Sequence, residues 1–164
     1  MKIGTCVNFS EIDGMGKKFA QLREHNFDSC QLVSWNPAAW TDENASLLKT
    51  LLEQYQITVS AFWCGWSGPA AWNFYDGPLT LGLVPVEYRQ MRIENLCDGA
   101  DFAHKLGITD VVTHMGFIPE NPYDPNFSSF CIAVRTVAEH LKKNGQCLLF
   151  ETGQETPVTM LRCF

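Results

Sequence analysis

The residue best placed to do chemistry in this chain is Glu151. In Leu148-Leu149-Phe150-Glu151-Thr152-Gly153-Gln154-Glu155-Thr156-Pro157 an apolar run breaks at Glu151 and passes through a polar loop into a Thr-Pro helix start. The run reads as a buried strand, with Glu151 at its carboxyl end. In α/β folds the loops at that end converge on one cavity. A carboxylate there can bind a divalent ion through oxygen or take up a proton. The blander alternative is a solvated loop acid that caps the next helix. Glu155, four residues on, can hydrogen-bond a polyol, or simply complement the dipole of the helix it precedes.

His114 ends a second apolar run, Val111-Val112-Thr113-His114-Met115-Gly116, where Gly116 permits close backbone approach. It is either a ligand-binding or metal-proximal imidazole, or a buried histidine bonded to a backbone carbonyl. Trp63 and Trp66, in Phe62-Trp63-Cys64-Gly65-Trp66, follow another strand, and Trp35, in Val33-Ser34-Trp35-Asn36-Pro37, follows yet another. Their flat apolar faces suit stacking on a sugar. They equally suit a loop folded onto its own residues. His25, His104 and His140 fall on or near helices, where solvation is expected. Asp13-Gly14-Met15-Gly16-Lys17-Lys18 lacks both the spacing and the Ser/Thr of a phosphate loop and reads as a helix start. The sequence has no Rossmann fingerprint, HExxH or zinc-finger spacing.

The elements that must position these residues alternate. Strands are expected at Lys2–Val7, Ser29–Val33, Ile57–Trp63, Thr109–Thr113 and Gln146–Phe150. Helices are expected at Asp13–Asn26, Thr41–Gln56, Glu87–Leu106 and from Asp124-Pro125 to Asn144-Gly145, from apolar residues at helical spacing and from capping residues. Thr156-Pro157 starts a further helix. The stretch Cys64–Pro85 interrupts the pattern with glycines, prolines and aromatics, the latter arguing against disorder. Right-handed crossovers between parallel strands are the default. Two architectures fit: about five βα units from the N-terminal part of a (β/α)₈ TIM barrel, which typically needs about 250 residues, or an open doubly wound five-stranded parallel sheet. Residues 1–164 read as a single domain.

The bulk numbers narrow the function. Net charge is −6 over 164 residues and the sequence pI is about 5.1. A sequence-independent nucleic-acid binder needs a basic face, so nucleic acid is not an expected partner. No apolar run approaches the roughly 20 residues that span a bilayer, so no membrane partner is expected either. Seven cysteines, none in a CxxC pair, read as reduced thiols of a cytoplasmic protein.

These strand ends resemble the xylose isomerase-like TIM-barrel superfamily, often described as sugar phosphate isomerases and epimerases. The likeness is carried by Met1-Lys2-Ile3-Gly4, Ala100-Asp101-Phe102-Ala103-His104-Lys105-Leu106-Gly107, Val112-Thr113-His114-Met115-Gly116-Phe117-Ile118-Pro119 and Phe150-Glu151-Thr152-Gly153-Gln154-Glu155-Thr156-Pro157. The resemblance implies a divalent-metal-dependent isomerase, epimerase or dehydratase acting on a small sugar or polyol. In such enzymes Mn²⁺, Mg²⁺ or Co²⁺ polarises the substrate oxygens, and paired carboxylates move a proton next to a carbonyl. By position Glu151 matches the first metal ligand and one catalytic carboxylate. Glu155 falls near a substrate-binding acid, and His114 and Trp63, with Trp66 and Trp35, near the sugar pocket.

The family's remaining ligands would lie beyond Phe164. The expectation is therefore a truncated product or fragment, partial in its barrel, in which the metal can be absent. Its open edge strands are expected to be covered by self-association into a homo-oligomer. The alternatives are a non-catalytic α/β domain that binds a ligand or partner and self-associates, and an AP-endonuclease-like metal enzyme, against which the acidic charge weighs. For the 164-residue chain alone no sugar-isomerising activity is expected. Turnover of any member of a ketose panel with Mn²⁺, followed by NMR, overturns that expectation.

Overall fold

A computed structural model describes residues 3–164. Its centre is a parallel sheet of β1 (Thr5–Asn8), β2 (Ser29–Ser34), β3 (Thr58–Cys64), β4 (Asp110–His114) and β5 (Cys147–Glu151). The strands lie side by side in chain order. This order decides between the two architectures. A doubly wound sheet reverses its order at a switch point, and this sheet has none. Consecutive parallel strands with intervening helices are the wall of a barrel. The expected first strand began at Lys2, which lies outside the described residues.

The helices are α1 (Met15–Glu24), α2 (Asp42–Gln54), the short α3 (Gly77–Thr80), α4 (Val86–Lys105), α5 (Pro125–Lys143) and α6 (Pro157–Leu161), with a 3₁₀ turn at Pro37–Ala39. The expected caps form. The hydroxyl of Thr41 accepts from the Asn44 N–H at 3.2 Å, and the Asp124 carboxylate accepts from the Asn126 N–H at 2.8 Å. The long interruption after β3 is ordered and holds α3. None of the described helices is long and apolar enough to cross a membrane.

Side-chain alternation along the strands builds two packed regions. On the helix-facing side Leu32, Phe62 and Val111 pack with Phe19, Leu48, Leu96 and Phe130. On the opposite side Trp63, Trp66 and Leu81 pack with Val33, Trp35 and Val112. β5 departs from expectation. It reads as buried in the sequence, yet its residues alternate between exposed and half-buried, and Leu149 is 41% exposed. Among the described residues only β4 pairs with it, so one edge of β5 has no neighbouring strand there.

The sequence spacing puts Ile93, Leu96, Ala100 and Ala103 on one stripe of α4; the last three are buried, Ile93 is half-buried, and the buried face continues through Arg92 and Arg89. Arg92 is 0% exposed. Burial pushes its guanidinium down to about 10, with the nearby Tyr88 acting the other way.

His140, expected to be solvated, instead tethers α5 to α4. Its Nε2 lies 2.8 Å from Asp101 Oδ1, which also accepts from the Asn144 amide at 2.7 Å. Partial burial works to raise the Asp101 pKa, but the hydrogen bonds from Asn144 and His140, with the charges of His140 and Lys105, outweigh it and hold the carboxyl below its usual range. A carboxyl depressed on folding adds stability above its unfolded pKa, and that stability is lost as pH falls through the folded value. The Asp101 side chain is 46% exposed, so screening limits the effect. Asp101→Asn is expected to cost about 0.5–1 kcal/mol at pH 7 in urea unfolding. The gap from wild type closes below about pH 4.

Candidate functional site

The carboxyl ends of β3, β4 and β5 bring three of the sequence-selected side chains together. His114 and Glu151 are register partners at the ends of β4 and β5. Trp63, next to last in β3, reaches across β4, and its indole N–H donates to Glu151 Oε2 at 2.8 Å. The other oxygen, Oε1, has no hydrogen-bond partner among the described residues. Glu151 thus keeps one oxygen fixed and one available.

Two cavities share this carboxylate. One, of about 380 Å³, is lined by Trp72, Phe117, His114, Glu151 and Gln154, among others. The second, of about 330 Å³, lies between Glu151, Trp63, Trp35, Trp72 and Gln31. Trp72, like Phe117, Leu81 and Gln154, was not singled out from the sequence. Its ring stands edge-on to His114 with centroids 5.1 Å apart. Its neighbours Asn73 and Phe74 line the larger cavity with it. The signal was available: Trp72-Asn73-Phe74-Tyr75 is an aromatic run in a loop following a strand end.

Of the remaining selected residues, Trp35 lines the smaller cavity. Its ring is tilted against Trp63, with centroids 4.8 Å apart, and edge-on to Trp66 at 5.0 Å. Trp66 is 3% exposed and lines neither cavity, and its indole N–H has no partner among the described residues. Glu155 turns onto its own loop, accepting from the Gly153 N–H at 3.1 Å and the Gln154 amide at 2.7 Å. That amide also donates to the Gly116 carbonyl at 3.0 Å, fixing the loop after β5 against the end of β4.

The histidine is held in one tautomer. His114 Nδ1 accepts the Gly116 N–H at 3.0 Å, so the neutral ring carries its proton on Nε2. A Cβ at Gly153 would stand 2.6 Å from that Nε2, so a larger residue there would have to displace the ring or the loop. Burial lowers the His114 pKa, while the charges of Glu155 and Glu151 work in the other direction. A buried, neutral imidazole donating from Nε2 can hydrogen-bond a ligand oxygen without adding charge.

The loop walls cross at two glycines. Gly82, at φ +65°, lies so near the backbone of Met115 that a Cβ would come within 2.0 Å of it. Gly116, at φ +92°, lies equally close to the Leu81 carbonyl, at 2.1 Å. This crossing seats the segment carrying Trp72 directly on the end of β4.

A resident divalent ion does not fit these groups taken alone. Such ions take about six oxygen ligands, Mg²⁺ usually through one or two carboxylates with several waters. Among the described residues no three His, Cys, Asp or Glu side chains group in a way that could hold a metal. Glu151 offers one oxygen, its other being held by Trp63.

The sequence profile of the xylose isomerase-like TIM barrel family matches residues 19–164. The chain belongs to the xylose isomerase-like TIM barrel family. No curated protein matches the sequence. Among solved structures, a xylose isomerase domain protein from Planctomyces limnophilus is 26% identical with a TM-score of 0.88, over 98% of this chain and 57% of that one. A xylose isomerase-like TIM barrel protein from Mycobacterium smegmatis, in complex with magnesium, is 21% identical with a TM-score of 0.68, over 93% and 52%. A D-allulose 3-epimerase from a Methylomonas species, in complex with D-allulose, is 14% identical with a TM-score of 0.62, over 99% and 58%. The last two likenesses speak for the fold alone. The chain spans a little over half the length of these solved relatives.

Within this family member, the His114 environment makes a measurable demand. A histidine with a folded pKa below its unfolded value of about 6.5 favours the native state above that value, and the advantage is lost as pH falls through the folded pKa. The melting temperature is expected to drop as pH is lowered from about 7 to 5. His114→Asn, which has no proton to take up and can still accept the Gly116 N–H, removes that part of the drop. A drop of the same size in the variant contradicts neutral burial of His114.

Proposed function

We propose that this chain forms the Glu151 side of a ketose or polyol site in a sugar isomerase or epimerase of the xylose isomerase-like family. Glu151 moves a proton on or off the carbon next to the substrate carbonyl. His114 donates from Nε2 to a substrate oxygen. Trp72, Phe117 and Leu81 form the apolar wall against which the C–H face of the sugar lies. What supports this most is the placement of Glu151: the last residue of β5, shared by two cavities, with Oε2 fixed by Trp63 and Oε1 available. The D-allulose complex of the Methylomonas epimerase makes that ketose the first ligand to try.

The donor set favours a second reading, in which the 164 residues bind the sugar without turning it over. A single carboxylate can hold a hydroxyl, whereas metal-assisted proton transfer needs ligands that do not cluster among the described residues.

Calorimetric titration with D-allulose tests the site. Wild type is expected to bind in the millimolar range. Glu151→Gln, losing an ionised acceptor worth about 1.5–3 kcal/mol, is expected to bind at least about tenfold more weakly. Saturable binding of equal strength in both proteins, or none in wild type, would sink the site. Proton exchange of the ketose in D₂O, read by NMR with and without Mn²⁺, separates turnover from binding alone.

A further inference from the structure

The wall carrying Trp72, Asn73 and Phe74 belongs to the segment between β3 and α4, and one buried side chain holds both ends of that segment. Arg92, on α4, sends Nη2 to the Pro69 carbonyl and Nη1 to the Gly82 carbonyl, each at 2.7 Å, and Nε toward the Ser67 carbonyl at 3.4 Å. Its guanidinium lies over the rings of Trp66 at 5.3 Å and Tyr88 at 4.8 Å. It has no carboxylate partner among the described residues. A position on a buried helix stripe beside Leu96 is ordinarily filled by an apolar side chain, because an unpaired buried charge is costly. Only a planar fork can grip carbonyls from both ends of one loop. These two π faces supply part of the solvation that the cation has lost.

Arg89, one turn earlier, fixes the exit of the same segment. Its Nε donates to the Leu83 carbonyl and its Nη2 to the Val84 carbonyl, each at 2.6 Å, and it also bonds the Asn126 side chain. Gly77 and Leu81 in the segment are buried, but its tip is exposed: Trp72 is 55%, Phe74 82% and Tyr75 89% accessible.

We propose that Arg92 is a positioning residue for the cavity: by gripping Ser67, Pro69 and Gly82 at once it closes the base of the 70–81 segment and sets Trp72, Asn73 and Phe74 as a wall facing His114 and Glu151. The proposal rests on the sugar-site reading in treating that wall as part of a binding site. Arg92 touches no ligand and acts through the loop backbone.

The test uses the full chain with Arg92→Lys, which keeps the charge but not the fork, and Arg92→Met, which keeps the bulk. Native-state amide exchange is expected to quicken at least about tenfold at Ala71, Gly77 and Leu81, while the β4 amides of Val111 and Val112 keep wild-type rates. D-allulose affinity is expected to fall at least about fivefold alongside, as expected when a preorganised wall is loosened. Unchanged loop exchange overturns the proposal, as does loosening of loop and sheet by the same factor, which marks a merely structural residue. So does wild-type affinity in a variant whose loop has loosened. If Arg92→Met does not fold, Arg92→Lys decides by the same criteria. The exchange measurement needs no sugar. Failure of wild type to bind D-allulose therefore counts against the sugar site, and unchanged exchange counts against Arg92.

Discussion

In a parallel sheet successive side chains point to opposite faces, and on β3 this rule sends Phe62 into the helix-facing core and Trp63 to the other side. The same alternation on β4 separates Val111 from Val112. Everything at the candidate site depends on that division. Helices α2, α4 and α5 cover one face with apolar stripes, leaving the other face to aromatic side chains and two cavities. A slip of one residue in β3 would put Phe62 beside Glu151, and Phe62 has no N–H to offer the carboxylate. Strand register is thus a chemical constraint as well as a packing one.

The polar groups of this region are matched to the backbone more than to one another. His114 answers Gly116, Gln154 answers the Gly116 carbonyl, and Glu155 answers Gly153. Each fixes one loop end. Together they hold the loops after β4 and β5 in fixed relation, so Glu151 and His114 present their remaining atoms from a settled frame. Arg89 and Arg92 do the same for the loop after β3, at the expense of two largely dehydrated cations.

Much of this was legible in the sequence for clear reasons. Strand ends announce themselves where an apolar run meets a polar or glycine-rich turn, which marked Glu151, His114 and Trp63. Caps announced the starts of α2 and α5, since Thr41, Asp124 and Pro125 have few other reasons to stand where they do. The choice between a barrel wall and a doubly wound sheet was not legible from periodicity, because both use the same βα units. Strand order settles it, and strand order is a long-range property. Arg92 was missed because a charged residue on a helix is ordinarily read as solvent-facing. Only the three-dimensional course of the loop shows that carbonyls surround it. Trp72 was missed because its partner, His114, lies forty-two residues away in sequence. The half-exposed state of β5 was missed because apolar content does not reveal how many neighbours a strand has.

The crossing of Gly82 and Gly116 has an evolutionary side. At most packed contacts a larger residue on one side can be accommodated by a smaller one on the other, and sequences drift through such paired changes. Here each glycine faces backbone, at Met115 and at Leu81, and backbone cannot be made smaller. No second substitution rescues a first. The two positions are therefore closed to compensation, and the loops they join can vary in composition around them but not in the point at which they meet. A glycine at each of these two places, one before α4 and one just past the strand-end histidine, is what the same loop crossing would require of any homologue that keeps it.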